Sequence, residues 1–404
     1  MNENSTGRRK ALFLLATFVL VACKRPGTSD TGESSSAASG KPRKAVIINV
    51  VDVAGSMALL QPAIERYREQ HPDSVEKVNF TKAPAPELPG KLKAMQAAGR
   101  SDIDLVTTGT DALAAGVEQG LWMRILPDHA DAFPGLLDNY LPQAREMQKL
   151  AQGQAVAAVF MPAGPLVEYN PEAVKDAPTT PAALLAWARA HPRRFIHARP
   201  RNSGPARTFL MGLPYLLGDV NPKDPTTGWE KTWAFLKELG AFIEYYPSGT
   251  GATMKELGEG SRDMTVTVTG WDINPRALGI VPKGFRVAAF QGMTWVNDTQ
   301  YLAIPKGLAE GKLAVVLDLM KFLLQPEQQA LTYDKGYFFP GPAVKDVPLS
   351  MAPPESQAVI REFGRPEYEE WFAQFPHVQP LEAKLMVMAF DRWDADIGAQ
   401  KMKQ

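Results

Sequence analysis

Between Lys44 and Thr107 short β-branched runs alternate with stretches of helical periodicity, and this alternation restricts the fold more than any other feature of the chain. Ala45-Val-Ile-Ile-Asn-Val-Val-Asp52 is brief and rich in Val and Ile, so it reads as a buried strand. Met57, Leu60, Ile64 and Tyr67 then fall at helical spacing, and His71-Pro72 stops the run. Residues 75–80 are the next predicted strand, 89–98 a helix and 101–107 a third strand. A βαβ rhythm implies a parallel sheet covered on both faces, with ligands meeting the carboxyl ends of its strands. Thr107-Thr-Gly-Thr-Asp111 lies at such an end and opens a predicted helix over 112–119, ended by Gly120.

A second α/β unit follows, with predicted helices over 181–189 and 229–242 and strands over 195–199 and 264–268. The apolar extended runs Ala155-Val-Ala-Ala-Val-Phe160 and Thr299-Gln-Tyr-Leu-Ala-Ile304 bracket this unit and are candidate crossovers between two lobes. Residues 313–324 make a strongly apolar helix, and helices are predicted at 356–363, 367–372 and 381–396.

The amino terminus sets an address. Arg8-Arg9-Lys10 precedes an uncharged run from Ala11 to Ala22, the pattern of a signal peptide. Twelve helical residues reach roughly 18 Å, short of a ~30 Å hydrocarbon core, so cleavage is the expected fate. Leu20-Val21-Ala22-Cys23 resembles the bacterial lipobox, which implies lipidation of Cys23; the alternative is a small buried thiol. Excision of 1–22 removes Arg8, Arg9, Lys10 and Glu3, and a chain of formal charge zero becomes one of −2. Residues 24–44 are rich in Ser and Gly and read as a flexible tether reaching about 70 Å when stretched.

With 44 basic and 44 acidic residues the chain has no basic field for nucleic acid. One cysteine permits no internal disulfide and no zinc site built on two thiolates. The motifs Gly-x-Ser-x-Gly, His-Glu-x-x-His and Gly-x-x-x-x-Gly-Lys-Ser/Thr are absent, so no catalytic residue, metal or cofactor is assigned. A secreted hydrolase using paired carboxylates, or a lipoprotein adaptor that binds protein, remains an alternative.

Several passages carry a family resemblance. Ser101-Asp-Ile-Asp-Leu-Val with Glu118-Gln-Gly-Leu-Trp-Met-Arg-Ile-Leu-Pro127, Tyr169-Asn170-Pro171 with the 180–195 passage, and Phe322-Leu-Leu-Gln-Pro-Glu-Gln-Gln-Ala-Leu resemble substrate-binding lipoproteins of bacterial ABC importers, the family 1 extracellular solute-binding class. Leu-Leu-Ala-Trp and Pro-Arg-Arg-Phe stand nearest its polyamine-like and thiamine-like branch. The resemblance covers about residues 45–345 and implies an α/β fold of the two-lobe periplasmic-binding-protein type II class, with mixed sheets, hinge crossovers and C-terminal helices. It implies lobe 1 over 45–156 plus 302–404, lobe 2 over 157–301, and hinges near 155–160 and 299–304. It also implies a monomer anchored through Cys23 at a bacterial periplasm or cell surface, with a small solute and an ABC permease as partners.

In this reading the solute lies at the seam of the lobes. Gly270-Trp271-Asp272 and Trp295-Val-Asn297-Asp298-Thr-Gln-Tyr301 each combine Trp with Asp, a pairing suited to an ammonium or thiazolium group. The expected ligand is therefore a polyamine-like or thiamine-like cation, with a sugar as the alternative. Equally, Trp271 and Trp295 could pack the junction while Asp272 and Asp298 cap turns. Asp52, Ser56, Thr108 and Thr110 occupy strand ends, where they could reach a ligand or cap helices. Ser248-Gly-Thr-Gly-Ala252 and Tyr337-Phe-Phe-Pro-Gly341 could line the cleft or serve as a loop and as core.

Overall fold

The alternation of the first hundred residues folds as a parallel unit. Strands β1 (Val46–Asp52) and β2 (Val75–Lys82) run parallel around the helix Met57–Gln70, and β1 also pairs in parallel with β3 (Leu105–Thr108). A computed structural model describes residues 44–53, 55–84, 87–399 and 401. The expected signal peptide, Cys23 and all of the tether but its last residue lie outside them. No described helix is long and apolar enough to cross a membrane.

Two strands change the character of the sheet. β4 (Ala155–Gly164) and β9 (Trp295–Ala303) pair antiparallel from Ala155 opposite Ala303 to Gly164 opposite Val296, and β9 also pairs antiparallel with β3. β5 (Leu166–Tyr169), β6 (Phe195–Ile196), β7 (Met264–Thr267) and β8 (Arg286–Ala289) form a second sheet in the order β6-β7-β5-β8. A single residue, Pro165, separates β4 from β5. The chain thus leaves the first sheet along β4 and returns to it along β9. β10 (Gly341–Pro342) closes the β4 edge, giving β10-β4-β9-β3-β1-β2, and β11 (His377–Val378) pairs with the start of β9.

Each sheet has its own apolar core. Ile48, Val50, Leu59, Leu60, Leu113 and Trp122 pack in the first, and Leu166, Phe209, Leu210, Trp229, Leu236 and Tyr246 in the second. Residues 302–404, grouped in sequence with lobe 1, divide between them. Val316, Leu319 and Met320 of the helix Glu310–Leu323 enter the first core. Tyr368 and the stripe Met386, Phe390 and Trp393 of the helix Ala383–Trp393 enter the second, because helical spacing puts those three on one face.

Most predicted elements form within a few residues of their expected bounds. The helices Gly204–Leu217 and Thr269–Ala277 are additions. Gly212 and Pro214 interrupt the first and Pro275 the second, so neither shows a clean periodic run. Ser203 caps the first through the Ala206 N–H, with Pro205 in the opening turn, a start signal legible in the sequence.

The helix Thr110–Glu118 is held by a close approach. A Cβ on Gly116 would stand 2.1 Å from Trp122 Nε1, which donates to the Leu113 carbonyl inside the first core. Alanine favours a helix by about 1 kcal/mol over glycine, but overpacking a full core costs about 1–3 kcal/mol. Gly116→Ala is therefore expected to lower the urea midpoint, at unchanged m-value, by an amount equivalent to roughly 1–2 kcal/mol.

Candidate ligand-binding cleft

Strand ends and helix starts from both cores meet at one cleft of about 520 Å³. β9 supplies Asp298 and Gln300 and β4 supplies Met161. Gly109 and Asp111 come from the start of the Thr110 helix, on the first core. Ser203, Gly204 and Arg207 come from the start of the Gly204 helix, on the second. Thr250, Val268 and Trp271 add the first turns of Thr250–Gly258 and Thr269–Ala277. Gly109, Gly249 and Val268, the residues before three of these helices, provide no side-chain cap. In the first of these turns Asp111 Oδ1 accepts the Ala112 N–H at 2.8 Å instead.

The middle of β9 explains why this strand was written with polar residues. Asn297, Asp298, Thr299 and Gln300 are all buried, and burying a polar group without a hydrogen bond is costly. Asp298 Oδ2 accepts from Arg207 Nη2 at 2.5 Å, and its Oδ1 accepts from Thr110 Oγ1 at 3.0 Å and from the Thr299 N–H at 2.9 Å. Arg207 Nη1 also pairs with Asp111 Oδ2 at 3.2 Å. Ser56 Oγ donates to Gln300 Oε1 at 2.5 Å, and Asp52 Oδ1 accepts the Ser56 N–H at 2.9 Å and Thr107 Oγ1 at 3.3 Å.

Of the residues predicted from sequence, Trp271 and Asp298 line the cleft. Thr110, Ser56 and Asp52 stand behind it, joined to Asp298, to Gln300 and to Ser56 respectively. Thr108 is buried and donates to the Gly109 carbonyl. Three other predicted residues lie off the cleft lining. Asp272 is fully buried away from the cleft, where its carboxylate holds Arg276, Arg365 and Tyr368 at 2.7–3.0 Å. Trp295 is fully buried, donates from Nε1 to the Trp371 carbonyl and meets Phe372 edge-on at 5.1 Å. Tyr301 is fully buried and donates to the Met147 carbonyl at 2.8 Å. Neither Trp/Asp pair forms, for geometric reasons. Trp271 and Asp272 are consecutive on a helix and diverge by about 100°, while Trp295 and Asp298, three apart on a strand, point to opposite faces.

Residues missed in sequence complete the site. Arg207 lay in an unpredicted helix. Asp111, Gln300 and Glu87 belong to elements whose facing direction only the packing sets. Ser248 and Tyr337, which the sequence left open between cleft and structural roles, do line the cleft. Tyr337 meets Trp271 edge-on at 5.6 Å.

The cleft is negative. Glu87, Asp111 and Asp298 line it, with Asp52 behind, against Arg207. Arg201 also lines it but is engaged by Asp391 and Asp394 at 2.5 and 3.2 Å. Burial, and then the fields of Asp52, Asp298 and Asp334, push the Tyr337 hydroxyl up to about 12. Among the described residues no group of three or more His, Cys, Asp and Glu is placed to hold a metal ion, and no histidine or cysteine lines the cleft.

The family described as bacterial extracellular solute-binding protein matches residues 62–359. No curated protein matches the chain. Among solved structures the chain is similar to the spermidine/putrescine ABC transporter substrate-binding protein PotD from Streptococcus pneumoniae, with a TM-score of 0.57 and 13% identity over 86% of this chain and 99% of that one. It is similar to the periplasmic binding protein AfuA from Actinobacillus pleuropneumoniae, with fructose-6-phosphate bound, with a TM-score of 0.61 and 15% identity over 87% and 98%. An ABC transporter structure from Clostridium perfringens gives a TM-score of 0.62 and 14% identity over 88% and 99%. At such identities the likeness is one of fold, and it matches the expected mixed α/β periplasmic-binding-protein class.

The Asp272 cluster fixes the helix that presents Trp271, and it carries two testable consequences. Asp272→Asn removes the charge shared by the buried Arg276 and the partly exposed Arg365 and is expected to cost about 3–5 kcal/mol in chemical denaturation. Glu168 on β5 is fully buried with neither carboxyl oxygen hydrogen-bonded; burial, then the charge of Asp272, raises its pKa well above the ordinary 4.5. The folded chain therefore binds this proton more tightly than the unfolded one. Its contribution is complete below about pH 4.5 and is lost as pH rises toward the folded pKa. Glu168→Gln is expected to exceed the wild type in stability near pH 8, with the gap closing near pH 4, in thermal melts across that range.

Proposed function

The chain belongs to the family of bacterial extracellular solute-binding proteins, and we propose that it captures a small amine-bearing cation in the cleft and delivers it to an ABC permease. In this reading β4 and β9 are the hinge, the lobes around the two cores close on the solute, and the closed form docks on the permease. Cys23 is the lipid anchor at a periplasmic or cell-surface membrane, and the chain acts as a monomer without covalent chemistry.

One observation carries the choice of a cation: Glu87, Asp111 and Asp298 outnumber the cations of the cleft, beside the half-buried Trp271 ring. A desolvated cation gains about 0.5–2 kcal/mol over such a ring, and carboxylates add charge-assisted hydrogen bonds. The first turns after Gly249 and Val268, which carry no side-chain cap, offer N–H donors for oxygens elsewhere on the same solute.

Calorimetry with polyamines, thiamine, neutral sugars and sugar phosphates tests this. Binding is expected among the amines, weakened by salt, with Trp271→Ala reducing affinity roughly 2- to 30-fold. Silence from every amine beside a response to a sugar or sugar phosphate would reverse the assignment of charge.

A further inference from the structure

Arg207 is carried by the Gly204 helix, whose Phe209, Leu210 and Leu213 belong to the second core. Asp111 is carried by the Thr110 helix, whose Leu113 belongs to the first. Asp298 lies between these two in a definable sense. On β9 it falls after Trp295 and Val296, which pack in the second core, and before Tyr301 and Leu302, which pack in the first. One guanidinium therefore joins both halves of the molecule and the strand that connects them.

The two contacts of Arg207 differ in what they need. Asp298 and Arg207 form a buried pair, with side chains 6% and 8% exposed, and the other oxygen of Asp298 accepts the Thr299 N–H and Thr110 Oγ1, a neutral contact from the same helix as Asp111. Asp111 is more exposed, at 17%, and its Oδ1 already accepts the Ala112 N–H at 2.8 Å. Withdrawing Asp111 from Arg207 strands no buried charge. The carboxylate is left to water, and Arg207 keeps Asp298. A contact of that kind can be made and broken repeatedly, whereas breaking the Arg207–Asp298 pair would leave an uncompensated charge in the interior. A second contact runs the same way: the helix Ala383–Trp393, rooted in the second core, packs against the Thr110 helix.

We propose that Arg207 is a latch between the two lobes, held to Asp298 at the hinge and closing onto Asp111, so that the solute-free molecule already populates a closed state. This rests on the two-lobe reading given above and extends it to regulation of the same cleft. The latch leaves about 520 Å³ of cleft beside it, so closing does not fill the site. A solute then binds to a conformation that is partly prepared, and affinity rises with the fraction already closed.

The test uses no solute. Nitroxide labels are placed at Lys77→Cys and Lys237→Cys, exposed positions on β2 and on the second-core helix Glu230–Gly240, in a Cys23→Ser background. Interlobe distances are read by pulsed electron resonance. The unlatched variants Asp111→Asn and Arg207→Gln are expected to deplete the short-distance population at least about fivefold, while Asp111→Glu retains it. Asp111 is partly exposed and Asn preserves its oxygen for the Ala112 N–H, so Asp111→Asn reports on the latch even where Arg207→Gln fails to fold. A wild type with no short-distance population, or a population unchanged by Asp111→Asn in a protein that melts normally, overturns the latch. Because solute is left out, amines that fail to bind would defeat the functional reading and leave this result untouched, and the converse also holds.

Discussion

The pairing of β4 with β9 is the constraint on which the remainder of the molecule depends. Both strands are buried along their whole length, they are the route by which the chain leaves and re-enters the larger sheet, and one residue separates β4 from the smaller sheet. Backbone hydrogen bonds between two buried strands have no water to exchange with, so the register holds and every side chain on β9 has a fixed face. That register puts Asp298 and Gln300 at the cleft and sends Trp295 and Tyr301 into the cores. A slip of one residue would reverse all four.

Charge is distributed in two layers around this frame. At the cleft, carboxylates are in excess and one arginine is divided between two of them, so the site keeps a negative field and a contact able to open. Beneath it, Asp272 gathers Arg276, Arg365 and Tyr368, and Arg365 reaches it from the turn between the helices Pro354–Phe363 and Glu367–Gln374. The lower cluster is centred on a fully buried carboxylate, with only Arg365 partly exposed; it clamps a C-terminal segment onto the helix that presents Trp271. Similar residue types thus perform opposite tasks, and what is left behind separates them: removing Asp272 leaves the buried Arg276 without a counter-charge, whereas withdrawing Asp111 leaves Arg207 paired with Asp298.

The parallel unit was legible because it is local. Val46–Asp52 and Met57–Gln70 each carry their own period and their own stop, and the crossover between parallel neighbours leaves few topologies to choose from. The two long apolar runs were recognisable as crossing strands for a similar reason: a buried strand needs no alternation. Harder to see was Gly204–Leu217, where Gly212 and Pro214 break the period, although Ser203-Gly204-Pro205 announces its start.

The sequence by itself determined the composition of the elements, the α/β class and the concentration of aromatic and acidic residues near the second crossing. Only the tertiary structure decided which of those side chains meet. Asp272, open in the sequence between a ligand contact and a structural role, is an interior clamp because packing brings onto it Arg365, 93 residues away along the chain. Arg207 lines the cleft between two carboxylates because Asp298 and Asp111, 91 and 96 positions away, are brought to it by packing between distant segments. Local sequence fixes the direction of a side chain relative to its own helix or strand; what that direction faces is set by packing between distant segments, which no local pattern encodes.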